Sequence, residues 1–238
     1  MSERTPFLHV DDAAGGPDAT RAVVLVLHGG RSTGRTRVRA RQLAVVRMLP
    51  FVTSLRRAGA DRGLAVGRLR YLVRGWNGTA QSPVADVLWA LDRIAERYPG
   101  RPVALVGHSM GGRAAMYAAG HPAVRAVVGL APWIEPGDPV AQLAGRRVLV
   151  VHGDRDRMTS RAHSADYAGA AAAVAESVGD VTLGGERHAM LRRPREWHEL
   201  VTAYVLAVLR ATPAQETVDA AIANVVEKIL AGEPSLTI

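Results

Sequence analysis

The sequence predicts an α/β fold, a mostly parallel sheet with helices on both faces, and three observations lead there. Short apolar runs rich in Val and Leu recur along the chain, and longer amphipathic segments separate them. The first of the central runs, AVVLVL over residues 22–27, has no polar side on either alternation, as a strand covered on both faces requires. Strands and helices that alternate in this way build parallel sheets through helical crossovers.

Further strands are predicted over residues 64–72, 103–107, 126–130, 147–152 and 180–183, with Pro6 to Val10 as a short candidate before them. Helices are predicted over residues 38–58, 83–98, 111–119, 160–177 and 194–209, with Pro50 kinking or splitting the first. A last helix is expected over residues 212–232. Thr212, Pro213 and Gln215 supply an N-cap, a first-turn proline and a capping-box partner. Val218, Ile222, Val225, Val226, Ile229 and Leu230 then share one helical face. Such a helix docks on its own domain, pairs with a second subunit or covers a site mouth, and the sequence leaves these open.

The chain has 238 residues, 48% of them hydrophobic, with no internal repeat or dividing linker, so one domain is expected. No stretch approaches the ~20 apolar residues of a membrane span, and no apolar core follows a basic start, so the expected location is cytoplasmic. The absence of cysteine excludes disulfides, thiolate metal sites and a cysteine nucleophile. The net charge is +8, yet Lys228 is the only lysine, an arginine bias that composition alone explains. Only Arg31, Arg35, Arg37, Arg39, Arg41 and Arg47 are locally dense, either as a solvated face or as an anion-binding one. No aromatic residues interleave with them, so nucleic-acid binding is not expected.

The chemistry lies at strand ends. Gly107-His108-Ser109-Met110-Gly111 follows an apolar strand and opens an Ala-rich helix, the strand–turn–helix setting a nucleophile elbow needs. The turn is tight enough that only glycine at its flanks avoids a clash, and the serine is held strained with its hydroxyl clear of the sheet. An acyl-transfer serine needs a base, and the base needs a carboxylate to hold its tautomer. His152-Gly153-Asp154-Arg155-Asp156 ends one strand and Gly184-Gly185-Glu186-Arg187-His188 follows another, bringing carboxylates and an imidazole to the same edge. His28-Gly29-Gly30 follows the first buried strand, where bare backbone can approach a reacting carbonyl.

Together these motifs resemble the α/β-hydrolase superfamily over about residues 20 to 210, closest to small bacterial esterases and dienelactone-hydrolase-like members. The resemblance implies Ser109 as nucleophile, His188 as base and Asp156 as acid, with the Gly30 and Met110 N–H groups as oxyanion donors. Some relatives carry the acid one strand earlier, where Glu135 and Asp138 lie. Two departures stand out. Residues 131–146 leave no room for a lid domain, and the opening of the sheet is truncated. Pocket walls are expected from Arg31, Arg74, Trp76, Trp133, Met158 and Met190, with the two arginines favouring an anionic substrate. No metal site and no cofactor are expected.

The leading expectation is a serine hydrolase that cleaves a small carboxylic ester through an acyl-enzyme. The alternatives are a thioesterase or acyltransferase that unloads an acidic carrier protein, and a non-catalytic ligand binder. No membrane partner is expected, and monomer or homodimer stays open.

Overall fold

Buried strands that are apolar on both faces serve two helical layers at once, and the computed structural model shows how. It describes residues 5–209, 219–233 and 235–238. Eight strands form one sheet: β1 (Phe7–Asp11), β2 (Ala22–Leu27), β3 (Leu64–Arg70), β4 (Val103–His108), β5 (Val124–Leu130), β6 (Arg147–Gly153), β7 (Ser177–Leu183) and β8 (Ser235–Thr237). Their order is β1-β3-β2-β4-β5-β6-β7-β8, with β1 antiparallel to β3 and every other pair parallel. The expected truncated opening is thus a single antiparallel strand.

The helices are α1 (Leu43–Val46), α2 (Leu49–Gly59), α3 (Ser82–Arg97), α4 (Met110–Ala118), α5 (Arg161–Ala171), α6 (Pro194–Val208) and α7 (Ala220–Leu230). Along β2, Val23, Leu25 and Leu27 enter one core with residues of α3, α4 and α5. Ala22, Val24 and Val26 enter the other, with residues of α2, α6 and α7. The two-residue period of a strand makes this division.

Several elements differ from the expectation. The helix expected over residues 38–58 starts only at Leu43 and breaks at Arg47 and Met48, and Pro50 sits in the first turn of α2, where its missing N–H costs nothing. The helix expected over residues 160–177 ends at Ala171, and Ser177 already begins β7. β8 was not expected at all; it adds parallel to β7 at the sheet edge. The cap foreseen at Thr212 lies outside the described residues, whereas Asp219 caps α7 by accepting the Ala221 N–H at 2.9 Å. Ile222, Val226 and Ile229 of α7 are buried against the chain's own sheet. Residues 131–146 hold one 3-10 turn, Ala141–Leu143, and no lid.

Candidate active site

The sheet places the chemistry because its parallel strands all end on one side. Ser109 sits between β4 and α4 at φ 55° and ψ −118°, a conformation that L-residues enter only under constraint. The constraint is close packing. A Cβ on Gly107 would lie 2.2 Å from the Gly111 carbonyl oxygen, and one on Gly111 would lie 2.6 Å from that of His28. The helix N-terminus behind Ser109 adds a favourable field for developing negative charge.

β6 delivers Asp156, and the loop after β7 delivers His188. Asp156 Oδ2 accepts from His188 Nδ1 at 2.8 Å, from Thr159 Oγ1 at 2.9 Å and from His152 Nε2 at 3.2 Å. Its Oδ1 accepts the N–H groups of Met158 and Thr159 at 2.7 and 3.2 Å. Burial works to raise the Asp156 pKa, but the hydrogen bonds from His152, His188 and Met158 hold it well below the usual carboxylate range. An ionised Asp156 accepts only, so the proton of His188 stays on Nδ1 and the lone pair on Nε2. Among the described residues Ser109 Oγ has no hydrogen-bond partner, His188 included; contacts of this kind often tighten only with substrate.

Several residues that the sequence reading left without a role build this arrangement. Fully buried His152 also receives the Ser164 hydroxyl on Nδ1 at 3.1 Å, which leaves its Nε2–H for Asp156. His108 donates from Nε2 to the His188 carbonyl at 3.0 Å and lies 4.7 Å ring to ring from His188. Burial, then the neighbouring His188, pushes the His108 pKa down to about 3, so it stays neutral. The Glu186 carboxylate is buried and accepts the Arg187 and Arg193 N–H groups, closing the loop that carries His188. Arg47 reaches across to the Ala189 carbonyl. The alternative acids are engaged elsewhere. Asp138 pairs with Arg113 at 2.6 Å and with Tyr117 at 2.7 Å, while Glu135 accepts from the Trp133 indole.

At the end of β2, His28 donates from Nδ1 to the Gly29 carbonyl at 2.6 Å and accepts the Tyr71 N–H at 3.2 Å. Burial takes its pKa down to about 4, which keeps it neutral and the turn fixed. Neither the Gly30 nor the Met110 N–H has an intramolecular acceptor among the described residues. A Cβ on Gly30 would meet Met110 Sδ at 2.5 Å and the Arg74 carbonyl at 2.6 Å, so glycine is required there. A cavity of about 300 Å³ adjoins this turn, lined in part by Gly29, Gly30, Arg31 and Arg74.

The remaining wall residues do not assemble the apolar pocket that was expected. Trp76 is 4% exposed and lies edge-on to Tyr117 and Trp133, with the Arg113 guanidinium 4.4 Å from its ring. Met190 is 3% exposed and packs in the core beneath α6. Met158 projects into solvent, and half-buried Trp133 donates its backbone N–H to the Ser109 carbonyl at 3.1 Å. Apolar residues at strand ends serve the core as readily as a pocket, and position in the sequence does not separate the two uses. A wider groove of about 1000 Å³ runs between α2 and α6 and is lined by none of Ser109, Asp156 or His188.

A mostly parallel sheet with a strained serine at the tip of a central strand defines a serine hydrolase of the α/β-hydrolase class. A family profile described as serine aminopeptidase, S33, matches residues 18–148, more than half of the chain, and the chain belongs to that family. No curated protein matches the chain by sequence. Among solved structures it is similar to Est1E from Butyrivibrio proteoclasticus, at 16% identity and a TM-score of 0.63, covering 85% of this chain and 94% of that one. It is similar also to XC6422 from Xanthomonas campestris, a serine hydrolase without a lid, at 20% identity and a TM-score of 0.61, covering 87% and 90%. Dipeptidyl peptidase 4 from Porphyromonas gingivalis matches at 13% identity and a TM-score of 0.55, covering 78% of this chain and 31% of that one. Identities this low speak for the shared fold alone.

Proposed function

We propose that the protein hydrolyses small carboxylic esters through an acyl-enzyme on Ser109. The reading is carried by the Asp156–His188 hydrogen bond of 2.8 Å, which leaves His188 Nε2 free on the sheet edge where Ser109 stands at φ 55°. Ser109 Oγ attacks the ester carbonyl carbon while its proton passes to His188 Nε2. The carbonyl oxygen becomes an oxyanion held by the Gly30 and Met110 N–H groups. As the tetrahedral adduct collapses, the imidazolium returns the proton to the departing alkoxide and the acyl group stays on Ser109. Water, deprotonated by His188, then attacks the acyl-enzyme and releases the acid. Asp156 stabilises the imidazolium in both steps without itself taking the proton.

An aminopeptide is a poorer fit, whatever the family description says of other members. An aminopeptidase must hold the positive amine of its substrate, and the cavity beside Gly30 carries Arg31 and Arg74 with no carboxylate in its lining. The test is turnover of p-nitrophenyl esters from acetate to decanoate by the wild type and Ser109→Ala. Turnover that depends on Ser109 and prefers one range of chain length supports the proposal. Wild-type activity on amino-acid p-nitroanilides, with none on the esters, overturns it.

A further inference from the structure

Without a lid, the rim of the site is open, and its composition departs from an ordinary surface in two independent ways. The first is apolar exposure. Eight large apolar side chains stand exposed among the described residues, and three of them border the loops of the site. These are Leu43 at 79%, Met158 at 77% and Leu191 at 69%. Their placement is fixed by contacts. Leu43 lines the same cavity as Gly29 and Gly30, and Arg47, four residues on, binds the carbonyl next to His188. Met158 donates its N–H to Asp156, and Leu191 follows His188 by three residues. Scattered exposed leucines are ordinary; a gathering at one opening marks a contact surface.

The second is charge. Between Asp18 and Asp61 the sequence has no acidic residue. Arg31, Arg35, Arg37, Arg39 and Arg41 are all exposed in that interval, and none forms an ion pair among the described residues. Arg155, Arg157, Arg187 and Arg192 extend the positive field around the other loops, with Asp154 as an exposed carboxylate among them. Arginines without counterions, set among exposed apolar side chains, match the boundary between anionic headgroups and acyl chains. An acidic protein partner would draw on the same arginines, and the vesicle experiment below separates it from a lipid surface.

We propose that this rim docks the protein on an anionic lipid bilayer, with Leu43, Met158 and Leu191 entering the headgroup region and the open site facing esters held there. This is adsorption without a spanning segment, since no helix among the described residues is long and apolar enough to cross a membrane. It goes beyond the sequence-based expectation, which foresaw no membrane partner. The proposal rests on the reading of Ser109 as nucleophile only for what docking achieves, so binding is measured on Ser109→Ala protein, where hydrolysis plays no part.

That protein is sedimented with vesicles of phosphatidylcholine alone and of phosphatidylcholine mixed with phosphatidylglycerol. It is expected to partition onto the mixed vesicles and to leave them at high salt. Arg35→Ser, Arg39→Ser and Arg41→Ser combined should weaken binding roughly a hundredfold, at about fivefold per arginine. Leu43→Ser with Leu191→Ser, at unchanged charge, should weaken it roughly tenfold or more. The arginine triple variant with Ser109 intact should turn over a soluble acetate ester at the wild-type rate. No binding to the mixed vesicles at low salt overturns the proposal. So does binding that the Leu43→Ser and Leu191→Ser changes leave intact, which would reduce the rim to a charged surface suited to any polyanion, an acidic carrier protein included.

Discussion

Replacing Asp156 by Asn keeps the shape of the side chain and removes its charge, and the structure leaves the amide no good orientation. Every neighbour of the carboxylate is a donor: His188, Thr159 and His152 at Oδ2, and two backbone N–H groups at Oδ1. With its oxygen toward His188, the amide NH2 meets the Met158 and Thr159 N–H groups. Turned over, the NH2 meets His188 and drives the proton to Nε2, so the ring can no longer accept from Ser109. The lost attraction between carboxylate and imidazolium is about 4 kcal/mol, taking charges ~4 Å apart at an effective dielectric of ~20. That alone is roughly three powers of ten in rate, and the wrong tautomer adds to it. We therefore expect kcat on p-nitrophenyl acetate to fall roughly 10³- to 10⁴-fold with KM little changed. The unmatched donors should lower stability by about 1–3 kcal/mol, a Tm loss of roughly 2–12 °C for a domain of this size. Steady-state kinetics and a thermal melt read both quantities. A folded Asp156→Asn protein that keeps more than about a tenth of wild-type kcat would refute the reasoning.

Three further outcomes are expected. His152→Phe removes one donor to Asp156 and should lower kcat roughly five- to tenfold at constant KM; unchanged kcat in a folded variant would show that His188 and Thr159 hold the carboxylate unaided. Arg113→Met strands Asp138, which is buried, and should cost about 3–5 kcal/mol in urea unfolding, whereas a loss under 1 kcal/mol, roughly, would mean that Tyr117 and the Glu135 N–H suffice. Burial pushes Asp86 up to about 6, against the Leu72 N–H that favours its charged form. A folded pKa above the ordinary 3.8 means that the native state holds the proton more tightly, so this residue's contribution to stability is full in acid and declines as pH rises through that interval. Asp86→Asn should thus raise stability by about 1–2 kcal/mol near neutrality and leave it unchanged near pH 4, roughly; equal melting shifts at the two pH values would contradict this.

What the sequence made legible follows from how local each signal is. The strand over residues 22–27 needs only its own composition to be recognised, and the elbow needs only five consecutive residues. The candidate acid, base and oxyanion turn could be grouped from the sequence because a parallel sheet sends its strand ends to one edge, so position in the chain implies position in space. Cooperation across distant loops was not. His152 reads as the last residue of a strand until the fold sets it against Asp156 and Ser164, and Arg47 reads as one more surface arginine until it meets the Ala189 carbonyl. The end of α5 was obscured because the Ala-rich stretch across it, residues 168–175, has no apolar stripe to mark where packing stops. β8 is three residues long with no periodicity of its own, and its existence depends on the open edge of β7.

Ser109 as the covalent nucleophile carries the proposed chemistry. Intact-protein mass spectrometry after rapid acid quench of the enzyme with p-nitrophenyl acetate tests that directly, with peptide mapping to locate the adduct. We expect one acetyl group per chain, on the peptide that contains Ser109. Ser109→Ala should carry none. Ester turnover by the wild type with no acetyl adduct at any quench time, or with the adduct on another residue in the wild type, would contradict the central claim.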